Sequence, residues 1–452
     1  MKYFVALFII SYGLALYAQE TITYDKFGNV AIFRPSGTPG CVVEVVSGSE
    51  GWKGDVTEIA RRIAAENGCL VAGIDLNSYQ QYQIGEKGFC PGGDLVGLAI
   101  YMQKTLGYKK YLPPVILGYR EGSVLAYVSL AQTTNNYLGA VTFGFCPDFA
   151  AGIGRSCQER KITKRIKDKK VTFPPYNGLE VPLYVFTTSD PVSCSIDSVP
   201  NFFKNIPKVK VQPLTKDWMA SFKPLLPEFM KGMPAAPKVS GVTDLPLHEY
   251  PSKGKSDTLV VILSGDGGWG DLGRDMAEQL ADKNFAIIGF DTLRYFWNLR
   301  TPEESARDLN RIITTYLPAW NKKKVLLIGY SYGADLVPFM VRHLPKDTQP
   351  LVAGVALIGP SVKTEFEFNV SQLQKENGPP KGEPLLPLLK HIPNTPVYCI
   401  GGMKETDSLC HKIEVTKREL PNVSVEMVPG NHIFKNEGEE FSNKILTHFG
   451  LQ

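Results

Sequence analysis

One pattern occurs twice in this chain, and it limits the possible folds more than any other feature. Near Cys41 the sequence reads CVVEVVSGSEGWKGD, then EIARRIAAENG, then CLVAGIDL; near Leu259 it reads LVVILSGDGGWGD, MAEQLADKN and FAIIGFDT. Each is an apolar strand, a glycine-rich turn, an amphipathic helix and a second apolar strand, which is the order of a βαβ unit. The next segments repeat as well. PPVILGYREGSVLAYVSLAQ starts at Pro113 and KKVLLIGYSYGADLVPFMVRHL at Lys323, each with a glycine-flanked turn between strand and helix. Apolar strands GAVTFGF and AGVALIG follow, then VPLYVFTTSDPVSC and TPVYCIGGMKETDSLC, and a last strand and helix close each copy. Strands that are nearly all apolar and alternate with helices belong to a mostly parallel sheet covered on both faces. The chain therefore reads as two tandem α/β domains of similar fold, residues 19–230 and 251–452. The Pro- and Gly-rich stretch 231–250 is the expected linker.

Composition agrees with this size. The 452 residues are 43% hydrophobic and 21% charged, as in a globular protein of two or three domains. A net charge of only +4 does not point to nucleic acid. Neither finger-like Cys/His spacing nor a G-x-x-x-x-G-K loop occurs, so no metal and no nucleotide cofactor is expected. Residues 1–18 read as a secretory signal. Lys2 supplies the positive start, Tyr3–Leu16 the apolar segment, and Ala18 the residue before the cut. Leu16 is larger than the residue usual at its place, and an uncleaved anchor is the alternative. An exported, periplasmic protein follows. The eight Cys fit an oxidising compartment, where they either pair or stay as buried thiols.

The second copy carries a candidate catalytic set. Gly329-Tyr330-Ser331-Tyr332-Gly333 fits G-x-S-x-G, a pattern that arises by chance in roughly one chain of this length in six. Its setting is more specific: it follows the apolar run Val325–Ile328 and opens the helical segment Ala334–His343, as a nucleophile elbow requires. A serine hydroxyl needs a base. Of six His, His432 in PGNHIF lies just after the last apolar strand, where α/β-hydrolase folds present their imidazole, with His411 a rival. The orienting acid is expected on the loop GGMKETDSLC, at Asp407 ahead of Glu405. A Cys399–Cys410 bond would pin that loop. Oxyanion donors are expected at the amide of Tyr332 and on the turn Ser264–Trp269, at Asp266 or Gly267. Arg294 and Arg300 are candidates for holding a phosphate. The Pro-rich segment Asn369–His391 stands where such folds place a lid.

In the first copy Arg120 stands at the serine position, and no His precedes His248. A guanidinium is neither nucleophile nor base at neutral pH. Asp190 in the matching acid loop then lacks partners, and this half is expected to bind, dock or merely pack. The basic run Arg160–Lys170 suits either anionic headgroups or solvent.

The motifs SGDGGW, DTLRYFW, RTPEESARDLNR, GYSYGAD, and DSLC followed by GNHIF resemble the bacterial VirJ/AcvB virulence proteins, from about Leu259 to the C-terminus. The duplicated layout is similar to that of the longer AcvB-type members. The resemblance implies a periplasmic α/β hydrolase that cleaves the aminoacyl ester of phosphatidylglycerol at the membrane surface. By the same motifs it implies Ser331 as nucleophile, Asp407 as acid and His432 as base. It also links the family to type IV secretion. The competing expectation is a catalytically silent adaptor that binds lipid or secretion partners.

Overall fold

The computed structural model describes residues 20–24, 26–85, 89–132, 136–150, 165–167, 170–189, 194, 197–214, 217–252, 254–370, 382–392, 395–416, 420–432, 434 and 437–451. The signal segment 1–18, most of the basic run Arg160–Lys170, Asp190, and 371–381 of the Pro-rich segment lie outside the described residues.

Two sheets carry the fold, and they are copies of one topology. The second runs Leu247–Tyr250, Ala286–Phe290, Thr258–Leu263, Lys324–Tyr330, Val352–Ile358, Val397–Gly402 and Val423–Val428 in spatial order. Only the Leu247–Tyr250 edge is antiparallel. The first repeats that order from Gly28–Phe33 through Cys69–Ile74, Cys41–Val46, Pro114–Tyr119, Gly139–Phe143 and Leu183–Thr187 to Val209–Pro213, with Glu20–Tyr24 added outside as an extra hairpin strand. Two tandem α/β-hydrolase-type units result. The edge strand Leu247–Tyr250 lies inside the stretch read as linker, so the second sheet begins before residue 251. Its sequence, Leu-His-Glu-Tyr, has one buried residue and gives no alternation to read.

The central strands are buried on both faces, which is why they are apolar at nearly every position; Thr258–Leu263 is buried from end to end. Helices cover both faces of each sheet, making an apolar core on either side. Local signals set helix starts. Thr301 and Glu304 form a reciprocal capping box, and Pro302 fills the first turn of the helix Pro302–Ala319. Among the described residues no helix is long and apolar enough to cross a membrane.

Candidate active site

The turn at Ser331 is shaped by what surrounds it. Ser331 joins the central strand Lys324–Tyr330 to the helix Tyr332–Arg342. Its backbone sits at φ 51° and ψ −119°, a region that costs a non-glycine residue on the order of 1–3 kcal/mol. The flanking glycines are required by close approach. A Cβ on Gly329 would fall 2.5 Å from the Cα of Ala334, and one on Gly333 would fall 2.4 Å from the Leu263 carbonyl oxygen. The Ser331 amide donates to the Ile358 carbonyl at 2.8 Å, tying the turn to the neighbouring strand.

Ser331 Oγ lies 2.7 Å from His432 Nε2. The other ring nitrogen, Nδ1, lies 2.6 Å from Glu405 Oε1. The carboxylate is itself held, because Glu405 Oε2 accepts the Gly402 amide at 2.6 Å. Glu405 is nearly buried, at 9% side-chain exposure, whereas the imidazole keeps 43%, so the base opens to solvent while its acid is sheltered. Glu405 holds the His432 imidazole above its usual pKa, burial opposes this, and Asp266 adds to the rise. Gly359, at φ +60°, makes room for the ring; a Cβ there would come 3.1 Å from Nδ1.

The acid expected at Asp407 is corrected to Glu405. Asp407 is exposed two residues further on. After the strand Val397–Gly402 the chain turns at once, with the Glu405 amide donating to the Gly402 carbonyl at 2.9 Å. That tight turn brings residue 405 back under the imidazole, and the longer Glu side chain spans the remaining gap. Cys399 and Cys410 are bonded and bracket this loop. His411, the rival base, stands at the start of the helix Leu409–Thr416 and hydrogen-bonds through its amide to Ser408.

The turn Ser264–Trp269 lies over the nucleophile. A Cβ on Gly265 would be 3.4 Å from that of Ser331. The Gly268 amide donates to the Gly265 carbonyl at 3.1 Å and closes the turn, while Thr292 Oγ1 donates to the carbonyls of Ser264 (2.8 Å) and Gly265 (2.9 Å) and fixes its base. Gly267 is exposed at the tip and Asp266 partly so. Burial pushes the Asp266 carboxyl up, and His432 counteracts this. Tyr332 begins the helix, where the first amides have no intrahelical acceptor. A serine hydroxyl, an imidazole and a carboxylate thus stand in line, in the order that acyl transfer uses.

The two arginines are not gathered at the serine in this arrangement. Arg294 Nε is 3.3 Å from Asp291, and the residue lines a cleft shared with Tyr111 and Tyr137 of the first unit. The Arg300 guanidinium covers the Tyr295 ring at 4.8 Å. Sequence reasoning missed Asp335. It is buried one helical turn beyond Ser331 and accepts the Ser361 amide at 2.6 Å, bracing the loop on which Gly359 sits.

The first unit keeps the elbow without the chemistry. Gly118 and Gly122 are as closely packed as their counterparts; a Cβ on Gly122 would fall 2.4 Å from the Val46 carbonyl oxygen. The Arg120 guanidinium pairs with Glu50 on the matching turn, and Glu121 accepts from Ser49 Oγ at 2.8 Å. The pseudo-site is occupied by its own side chains.

No curated protein matches the chain. Solved structures with a similar fold include the type II thioesterase YbtT of the yersiniabactin pathway (19% identity, 45% of this chain and 98% of that one, TM-score 0.33). Others are a lipase-esterase related protein from Clostridium acetobutylicum (16%, 45% and 98%, 0.33) and Est1E from Butyrivibrio proteoclasticus (12%, 46% and 93%, 0.33). Residues 257–451, within the second unit, match the family described as bacterial virulence protein (VirJ).

Proposed function

We propose that the second unit is an exported serine esterase that hydrolyses an aminoacyl ester of phosphatidylglycerol, of the lysyl-phosphatidylglycerol type, at the membrane surface. The observation that carries the chemistry is the unbroken relay from Ser331 Oγ through His432 to Glu405, at 2.7 and 2.6 Å. His432 Nε2 takes the hydroxyl proton as Oγ adds to the ester carbonyl. Charge develops on the carbonyl oxygen, and the amides of Tyr332 and of Asp266 or Gly267 are assigned to receive it. The imidazolium, steadied by Glu405, then gives its proton to the departing alcohol. Water repeats the sequence to free the acid and restore Ser331. The lipid-borne ester rests on the resemblance of the second unit's motifs to the VirJ/AcvB proteins, and the disulfides Cys41–Cys69, Cys146–Cys194 and Cys399–Cys410 support export to an oxidising periplasm.

Incubation with a fluorophosphonate probe and with lysyl-phosphatidylglycerol tests this reading. Wild type should be labelled and release lysine, and Ser331→Ala should do neither. Equal labelling of wild type and Ser331→Ala, or none of wild type, leaves the silent adaptor as the better account.

A further inference from the structure

Two segments of the second unit that pack against Tyr332, the neighbour of Ser331, are anchored in the other unit. Trp297 belongs to the second unit but is buried in the first unit's core, with 1% exposure, against Tyr111. Its indole N–H donates to the Tyr108 carbonyl at 2.7 Å, and its own carbonyl accepts the Lys104 ammonium. Asn298 Nδ2 donates to the Lys109 carbonyl at 3.1 Å. Lys104 also pairs with Glu367 at 2.7 Å, so one cation of the first unit clamps two separate segments of the second.

Those two segments lead to the nucleophile. Trp297 stacks on Phe368 at 6.3 Å, and the Phe368 amide donates to the Phe296 carbonyl at 2.8 Å. Phe296 meets the Tyr332 ring edge-on at 5.7 Å, and the Tyr332 hydroxyl donates to the Glu365 carbonyl at 2.9 Å. Tyr332 is the residue directly after Ser331. Between the segments opens a cleft of about 300 Å3 whose wall includes Lys104, Leu299, Glu365 and Phe366. The size is at the lower end for a site that takes a small molecule or part of a larger one.

We propose that the serine-less first unit is a positioning element for the second unit's active site. It holds 296–300 and 365–370 at the distance from Ser331 that admits a bulky substrate. The proposal rests on the reading of Ser331 as a nucleophile, and it assigns the first unit a role in substrate fit rather than in chemistry. Lys104 and Trp297 are positioning residues in this scheme, acting through Glu365 and Tyr332.

Full-length Lys104→Met and Trp297→Phe test it, with labelling rates at Ser331 for a small and a bulky fluorophosphonate and the thermal midpoint as readouts. The bulky-probe rate should fall about tenfold while the small-probe rate stays within about twofold, the mark of a misplaced wall beside an intact relay. An unchanged ratio of the two rates in both variants overturns the proposal, as does an equal fall in both rates. Lys104→Met leaves no core cavity and decides the matter alone if Trp297→Phe fails to fold. Failure of wild type to label with either probe would instead sink the serine-esterase reading itself.

Discussion

Ser331 and Arg120 hold the same backbone conformation at the same turn of two copies of one fold, at φ 51° and 49°. Only one of them presents a hydroxyl to an imidazole. The turn is imposed by the strand and helix packing on either side, where the paired glycines leave no room for another path. The strain therefore outlasts the chemistry that it serves.

Ser331→Gly should separate the two. A glycine adopts this φ without penalty, so we expect the variant to be more stable by about 1 kcal/mol and inactive. Chemical denaturation checks the first part. A variant less stable than wild type would show that the elbow is not strained. Arg120→Gly should gain less, because it also loses the pair with Glu50 and the contact over the Tyr119 ring.

Glu405 and Asp407 can be told apart kinetically. Removing the residue that orients the imidazole in a triad lowers kcat by about 10⁴. Glu405→Gln should approach that loss. Asp407→Ala, at an exposed position, should stay within about threefold of wild type, as surface changes usually do. A reversed pair of results in steady-state assays would return the role to Asp407.

The pH profile follows from the raised imidazole. His432 must be neutral to accept the proton, so kcat/KM should climb with pH along an acid limb above the ordinary value of 6.5. The sign for stability is opposite. A folded pKa raised above the unfolded one contributes fully below the unfolded value and is lost as pH rises through the folded one. Activity should therefore rise over the window in which this stabilisation declines. Glu405→Gln, whatever its rate, should move the limb to lower pH, and Asp266→Asn should move it the same way by less, since Asp266 is the weaker contributor. A limb that stays in place in Glu405→Gln would mean that another group controls it.

Much of this was legible in the sequence because it rests on local pattern. Apolar runs marked the buried strands, and the repeat foretold that both sheets share one order. Ser331 was singled out by its G-x-S-x-G turn and His432 by its place after the last apolar strand, and the two side chains do meet. What failed depends on geometry that no local pattern carries. Choosing between Glu405 and Asp407 needs the tightness of the turn at Gly402. The edge strand Leu247–Tyr250 exists only because Ala286–Phe290 offers it a partner. Trp297 reads as one more aromatic in DTLRYFW, and only packing between the units shows where it lodges.

The Cys399–Cys410 bond closes a loop with a sequence separation of 11 that holds Glu405. Crosslinks around short loops contribute about 3 kcal/mol. Replacing both cysteines with Ala should lower stability by roughly that amount and reduce kcat by more than it reduces the folded fraction, because the acid strand and the helix Leu409–Thr416 are no longer tied. Parallel titration of activity and ellipticity in urea reads both quantities. If kcat of the folded protein is unchanged, the bond serves the fold alone.

Glu44 offers a test of the first unit by itself. It lies in the middle of the strand Cys41–Val46, opposite Ala72 and Ile116, with no exposure and, among the described residues, no hydrogen-bond partner for either carboxyl oxygen. Burial pushes its carboxyl well above the ordinary range, which favours the neutral form. The folded state then binds a proton more readily than the unfolded state, so stability is highest below the unfolded pKa of about 4.5 and falls as pH rises from there. Glu44→Leu replaces an unsatisfied group with an apolar one of similar size. It should stabilise the protein by about 1–3 kcal/mol at pH 8, with a smaller gain at pH 5. Glu44→Gln should remove the same slope with little gain, because a buried amide still lacks partners. Denaturation at both pH values decides the point: a Glu44→Leu protein weaker than wild type at pH 8 would mean that the carboxylate is satisfied, and that the core beneath the first sheet is built around it.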